Sequence, residues 1–217
     1  MTDLYDMLNK VTSWSLLQSQ YPLVSVKSTV DNKTYKVRDL PDKQKAADLL
    51  AKIRIKMNKF MIYLETTYPN KPQIQRLVKN FKANPDRLLE ATPDADHTSY
   101  SINKGEKVHL CLRQREATNE SLVDENIMFF VALHEMAHMI TATIGHGQDF
   151  WNNFGFLLKE AEKEGLYKHT DFKSQPVTYC GVSITDAPRY DSSKDQETNI
   201  SGTDFQIGTI VETSPSK

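Results

Sequence analysis

Apolar residues recur along this chain in two rhythms, every second position or every three to four, and the switches between the two predict its elements. Residues 3–18 place Leu4, Leu8 and Val11 at helical spacing behind Thr2 as a cap. In "PLVSVKSTVDNKTYKVRDLP", Val24, Val26 and Val30 share one parity, Tyr35 and Val37 form a second run, and Asp31-Asn32 lies between them. That pattern predicts a hairpin. Pro41 then opens a helix in which Ala46, Leu50, Ile53, Met57, Phe60 and Leu64 recur at steps of four and three, and Pro69 ends it. Pro72 starts a shorter helix with Ile74, Leu77, Val78 and Phe81 facing inward. "ANPDRLLEATPDAD" reads as turns with at most one helical turn, and "SYSINKGEKVHLCLR" as a second hairpin turning at Asn103-Lys104-Gly105.

From Ser121 the rhythm disappears, because nearly every position is apolar. Ser121 followed by Asp124 resembles a capping box, and Leu122, Ile127, Met128, Phe129, Phe130, Val131, Ala132 and Leu133 leave no polar face as far as about Thr143. A helix apolar on nearly all sides belongs at the centre of a molecule, and Gly145 is placed to end it. Residues 148–164 form another helix with Phe150, Trp151, Phe154, Leu157, Leu158 and Ala161 as its stripe and Gly165 as its cap. "KHTDFKSQPVTYCGVSITDAP" is irregular with a short strand, and Asp191–Lys217 is rich in Ser, Thr and Asp, as a loosely ordered tail would be. The expected organisation is an N-terminal helix and hairpin over 1–40 packed on a main domain over 41–190, followed by a polar tail over 191–217.

Composition narrows the class. The 217 residues are 39% hydrophobic and 25% charged, within the globular norm, and the formal net charge of −1 gives no global field to recruit nucleic acid or anionic lipid. No stretch approaches a membrane span, and "MTDLYDMLNK" lacks the long apolar run of a secretory signal. The two cysteines, Cys111 and Cys180, form neither a CxxC zinc ribbon nor a disulfide framework. Together these features predict a soluble intracellular protein in a reducing compartment.

Chemistry concentrates inside the apolar helix, in "FVALHEMAHMITATIGHGQDFW". A helix returns to the same face after four residues, so His134 and His138 project side by side and can ligate one Zn²⁺ at about 2.0–2.1 Å each. Glu135 lies about 100° around the helix from His134, beside such a metal rather than on it. His146, just past Gly145, is the nearest third ligand; Asp149 and Glu160 are the alternatives. Three protein ligands and an open position make a catalytic rather than a structural zinc site. Zinc supplies Lewis acidity there, and Glu135 serves as general base for amide hydrolysis. A carboxylate and two imidazoles in so apolar a helix would be costly without such a task.

The same residues carry a resemblance. "ALHEMAHMITATIGHGQDFW" resembles the zincin metallopeptidases of the WLM and SprT-like group, which carry HExxH on a central helix and then a third histidine in a pattern like GHGxxF. Here that pattern is Gly145-His146-Gly147-Gln148-Asp149-Phe150. The likeness extends over roughly residues 35–165, through "VRDLPDKQKAADLLAKIRIKMNKFMIYL" and "KVHLCLR", a length typical of one domain. It implies an α+β, zincin-like fold: a small twisted sheet, a backing helix and a central metal-bearing helix. It also implies His134, His138 and His146 as ligands of one zinc ion, Glu135 as general base, and an edge strand that binds substrate as an added strand. Residues 106–113, with Val108, His109 and Leu110, would be that strand. Members of known role are intracellular proteases that degrade proteins crosslinked to DNA. Zinc ribbons and ubiquitin-related recruitment motifs are not recognisable in this chain.

Other residues were weighed against plainer roles. Lys52, Arg54, Lys56 and Lys59 suit a solvated helix face better than a DNA contact. Tyr179 could donate to an oxyanion and Cys180 could ligate zinc as an inhibitory thiolate, although a packed C-terminal strand accounts for both. His97 and His169 have no partner legible in the sequence. The expected protein is a zinc-dependent endopeptidase acting on a protein or peptide, with proteins associated with or crosslinked to DNA as one candidate substrate class. The alternative is a non-catalytic zincin-fold structural or adaptor protein, for example virion-associated.

Overall fold

The computed structural model describes residues 20–81, 85–115 and 120–195. The helix expected over 3–18 and nearly all of the tail lie outside the described residues. The hairpin comes first: β1 (Leu23–Lys27) pairs antiparallel with β2 (Thr34–Arg38), and Asn32 takes the left-handed turn conformation at φ 59°. α1 (Lys43–Thr67) and α2 (Pro72–Asn80) follow, joined through the turn at Pro69. All six stripe residues of α1 are buried, as are Ile74 and Leu77 of α2.

Between α2 and the second hairpin stands β3 (Leu88–Glu90), where the sequence predicted only turns. It is short, flanked by Pro85 and Pro93, and runs parallel to its neighbours on both sides, so neither length nor alternation announced it. β4 (Tyr100–Ile102) and β5 (Lys107–Leu110) complete a five-stranded sheet of order β1-β2-β3-β5-β4. This order corrects one expectation. β5, with Val108, His109 and Leu110, is an interior strand lying between β3 and β4, because the second hairpin folds its first strand outward. The outer strand is β4. Where β2, β3 and the chain after β5 meet, the Arg113 guanidinium is buried between the carboxylates of Glu90 and Asp42, and Glu90 Oε2 also accepts from the Arg38 N–H at 2.7 Å.

α3 (Glu125–Ile140) is the central helix, and α4 (Gln148–Lys163) packs along it. Thirteen of the sixteen α3 residues are buried. Both ends differ from expectation. The N-cap is Asp124, not Ser121: its side chain accepts from the N–H groups of Asn126 (2.8 Å) and Ile127 (3.3 Å). The C-terminus comes at Ile140, five residues before Gly145, because side chains from elsewhere take its carbonyls. Arg76 Nε donates to Ile140 O (2.9 Å), Asn80 Nδ2 to Met139 O (3.3 Å) and Lys104 Nζ to Thr141 O (2.6 Å).

Beyond α4 a small hairpin, β6 (Val177–Tyr179) and β7 (Val182–Ile184), forms a separate two-stranded sheet. It is joined to the end of β5 by a disulfide between Cys111 and Cys180. The sequence announced no disulfide framework, and this single bond is the departure from that expectation. Two cysteines 69 residues apart declare no pairing in sequence; the fold brings their Cα atoms to 6.4 Å. Among the described residues no helix is long and apolar enough to cross a membrane.

Candidate metal centre

His134 and His138 lie one turn apart on α3, and the chain after Ile140 brings His146 back over that turn. Two features shape the return. Lys104, just past β4, donates to three successive carbonyls, Thr141, Ala142 and Thr143, and so pins the first half of the loop. Gly145 then turns the chain with φ +86°, a conformation in which an L side chain is strained. α4 begins directly after His146, and Thr143 Oγ1 donates to Asp149 Oδ2 in its first turn.

The three imidazoles converge through one atom each. His134 Nε2 lies 3.2 Å from His138 Nε2 and 3.2 Å from His146 Nε2, and the three donor atoms all fall within 4.8 Å of one another. Hydrogen bonding alone accounts poorly for this arrangement, because a ring nitrogen offers either one proton or one lone pair and His134 Nε2 faces two like atoms. A cation accounts for it well: tetrahedral Zn–N bonds of about 2.0–2.1 Å place ligand nitrogens about 3.3 Å apart. The electrostatics favour the ligand form. Burial, and then the neighbouring His138 and His146, hold His134 well below its usual range. Burial, then His146 and Lys104, push His138 down to about 3. His134 and His138 are therefore neutral, with lone pairs available.

A wall of aromatic rings from α4 fixes their orientation. Phe150 touches all three, with ring centroids 4.4 Å from His138, 4.6 Å from His146 and 4.9 Å from His134. Trp151 stacks on His146 at 5.4 Å and 24°, and Phe154 meets His134 edge-on at 5.3 Å. The Phe of the GHGxxF pattern thus braces the imidazoles. The sequence placed it only in the core stripe of α4, and the pattern itself was the signal for this second role. Lys104, which ties the β4–β5 turn to the metal loop, had no sequence signal at all.

Glu135 is buried on α3 at 1% exposure. The alternatives to His146 are engaged elsewhere: Asp149 with Thr143, and Glu160 with the Tyr63 hydroxyl at 2.7 Å. Cys180 is corrected as a candidate ligand, since its sulfur is bonded to Cys111. Tyr179 is fully buried with its hydroxyl 2.6 Å from Ser99 Oγ, so the structure does not offer it as an oxyanion donor. Burial, followed by Ser99 and the charge of Glu135, governs its ionisation, which is pushed above the usual phenol range. His109 stacks on Tyr100 at 4.4 Å and 9°, and burial holds its pKa below the usual value. His97 meets Tyr100 edge-on, and His169 Nδ1 lies 3.1 Å from Glu162.

This chain is similar to several known proteins. Protein R325 of Acanthamoeba polyphaga mimivirus is 35% identical over 170 residues, 73% of this chain and 81% of that one. Protein 136R of Invertebrate iridescent virus 6 is 38% identical over 82 residues, 38% of this chain and 44% of that one. Among solved structures, a mutant of Wss1 from Saccharomyces cerevisiae is similar at 25% identity and a TM-score of 0.43, covering 59% of this chain and 90% of that one. The WLM domain profile matches residues 29–216, which include the whole of the histidine cluster and four of the five strands of the sheet beside it. The chain belongs to the WLM domain family.

Proposed function

We propose that this protein is a zinc-dependent metalloendopeptidase in which His134, His138 and His146 hold the metal and Glu135 is the general base. The observation that carries this reading is the convergence of three imidazole nitrogens, with those of His138 and His146 each 3.2 Å from that of His134, one residue from a buried carboxylate. Bound zinc would supply Lewis acidity toward the scissile carbonyl and lower the pKa of a water. Glu135 takes the proton of the attacking water onto its carboxylate and delivers it to the leaving amine. The aromatic wall of Phe150, Trp151 and Phe154 excludes solvent from one side of the imidazoles. β4 is one of the two outer strands of the sheet and packs beside α3, so an extended substrate pairs there as an added strand.

DNA-associated proteins are the substrates that the family resemblance suggests, but the charge on α1 lends them little support. Lys52 and Lys56 both pair with Glu125 (3.3 and 2.8 Å), and Arg54 pairs with Asp31 (2.9 Å). The test is to measure zinc content and cleavage of an unfolded protein, with and without single-stranded DNA, for wild type and Glu135→Gln. One zinc per chain is expected in both. Cleavage should fall by about 10²- to 10⁴-fold in the variant, the usual contribution of a positioned acid–base group. Stoichiometric zinc with no cleavage under any condition would hand the fold to the adaptor reading.

A further inference from the structure

The β6–β7 hairpin is too small to hold itself, since an isolated two-stranded hairpin is marginal in water. Its strands have three residues each, and what fixes it is a set of attachments to the chain following β5. Gln114 grips it from both directions: Nε2 donates to Thr178 O (2.9 Å) and Oε1 accepts from the Cys180 N–H (2.8 Å). Cys180 is covalently bound to Cys111. Ser99, the residue before β4, accepts from the Cys111 N–H (2.8 Å) and shares a hydrogen bond with the Tyr179 hydroxyl. The disulfide, Ser99 and Tyr179 therefore form one knot between the hairpin and the outer strand of the sheet. The turn also holds Cys180 at φ +49°, a conformation usual for Gly or Asn and strained for other residues, and Gly181 beside it is exposed.

We propose that the Cys111–Cys180 bond is a thiol-sensitive latch that keeps the β6–β7 hairpin, and through Tyr179 and Ser99 the start of β4, in place. Local opening of so small a hairpin admits a dithiol reductant. Thiol–disulfide exchange then transfers two electrons: the protein S–S bond becomes two cysteine thiols, and the dithiol becomes its cyclic disulfide. Without the covalent tie, the hairpin is held by its hydrogen bonds to Gln114 and Ser99 and by the packing of Tyr179 and Ile184 in the core, and it opens more often. The consequence for hydrolysis rests on the protease reading; the release of the hairpin does not.

The full-length chain, purified without reductant, is treated with an alkylating agent before and after dithiothreitol, and amide exchange over residues 177–184 is compared in the two states. No alkylated cysteine is expected before reduction and two after it, with exchange over 177–184 at least tenfold faster in the reduced protein. Because dithiols also bind zinc, the activity arm uses the Cys111→Ser, Cys180→Ser double variant without reductant, which should cleave at least fivefold more slowly than wild type. Two alkylatable thiols before reduction, or exchange unchanged within twofold, overturns the latch. An opened hairpin with hydrolysis unchanged within twofold overturns its control of the site. A chain that cleaves nothing in any form, yet shows the exchange change, sinks the protease reading and leaves the latch supported. Should the double variant fail to fold, the exchange arm on wild type still decides.

Discussion

α1 and α3 are both long, largely buried helices, yet they hide their residues for different reasons. α1 buries nine of 25 residues along a single stripe, all of them apolar, and leaves its polar face to solvent and to ion pairs. α3 buries thirteen of sixteen, and His134 and Glu135 are among them. On α1, polarity and burial are segregated, as packing alone would arrange them. On α3 they coincide, and a buried charged or polar side chain lowers stability unless it is fully partnered. The difference teaches that α1 is built as packing alone would build it, whereas α3 carries buried polar groups that packing alone does not call for.

Opposite responses to substitution test that contrast. The largest effect should be on α1: Leu50→Ala removes a fully buried side chain and should destabilise by about 2–5 kcal/mol in denaturant titration, with zinc content per folded chain unchanged. On α3 the sign should invert. Glu135→Leu exchanges a buried carboxylate for an apolar group of similar size and should raise the stability of chelator-treated protein by about 1–3 kcal/mol, while abolishing hydrolysis. If Glu135→Leu is instead as damaging as Leu50→Ala, Glu135 is a structural group and the contrast between the helices is lost.

A smaller effect separates how each helix begins. Asp124 caps α3 through two backbone N–H groups, whereas Asp42 before α1 makes no side-chain cap. Asp124→Ala should therefore cost about 1 kcal/mol by denaturant titration, and Asp42→Ala should act through its lost contact with Arg113 instead. Equal denaturation midpoints for Asp124→Ala and wild type would refute the cap.

How much of this was legible in the sequence follows from which interactions are local. The α1 stripe, the first hairpin and the His134–Glu135–His138 spacing depend on residues a few positions apart, and all appear where the pattern placed them. The misses depend on the rest of the fold. β3 is held by parallel partners on both sides, and β5 became interior because β4 folded outside it. α3 stops at Ile140 because Arg76, Asn80 and Lys104 arrive from three other elements. Cys111 and Cys180 meet only once the sheet and the last hairpin are in place. In the site, the spacing of the histidines was local and their orientation was not, so the cluster was readable, Phe150 was signalled only by the GHGxxF pattern, and the contributions of Trp151 and Lys104 had no signal.

The smallest expected effect concerns acid, and it distinguishes the exposed edge of α1 from the interior of α3. Asp48 on α1 is only partly buried. Burial opposes its ionisation, but hydrogen bonds from the Ser28 hydroxyl, the Thr29 N–H and hydroxyl and the Gln44 amide outweigh it and hold the carboxyl below its usual range. A carboxyl with a lowered folded-state pKa stabilises the protein above its unfolded value, about 3.9, and that contribution disappears as pH falls through the lower folded value. The N-terminal hairpin, which these bonds tie to α1, should therefore loosen below about pH 4. Asp48→Asn should flatten the stability profile in that window, measured by denaturant titration from pH 6 to pH 2.5, while leaving the zinc content at neutral pH unchanged. A variant profile parallel to that of wild type would remove Asp48 from the acid response and leave the burial of polar groups in α3 as the helices' only electrostatic distinction.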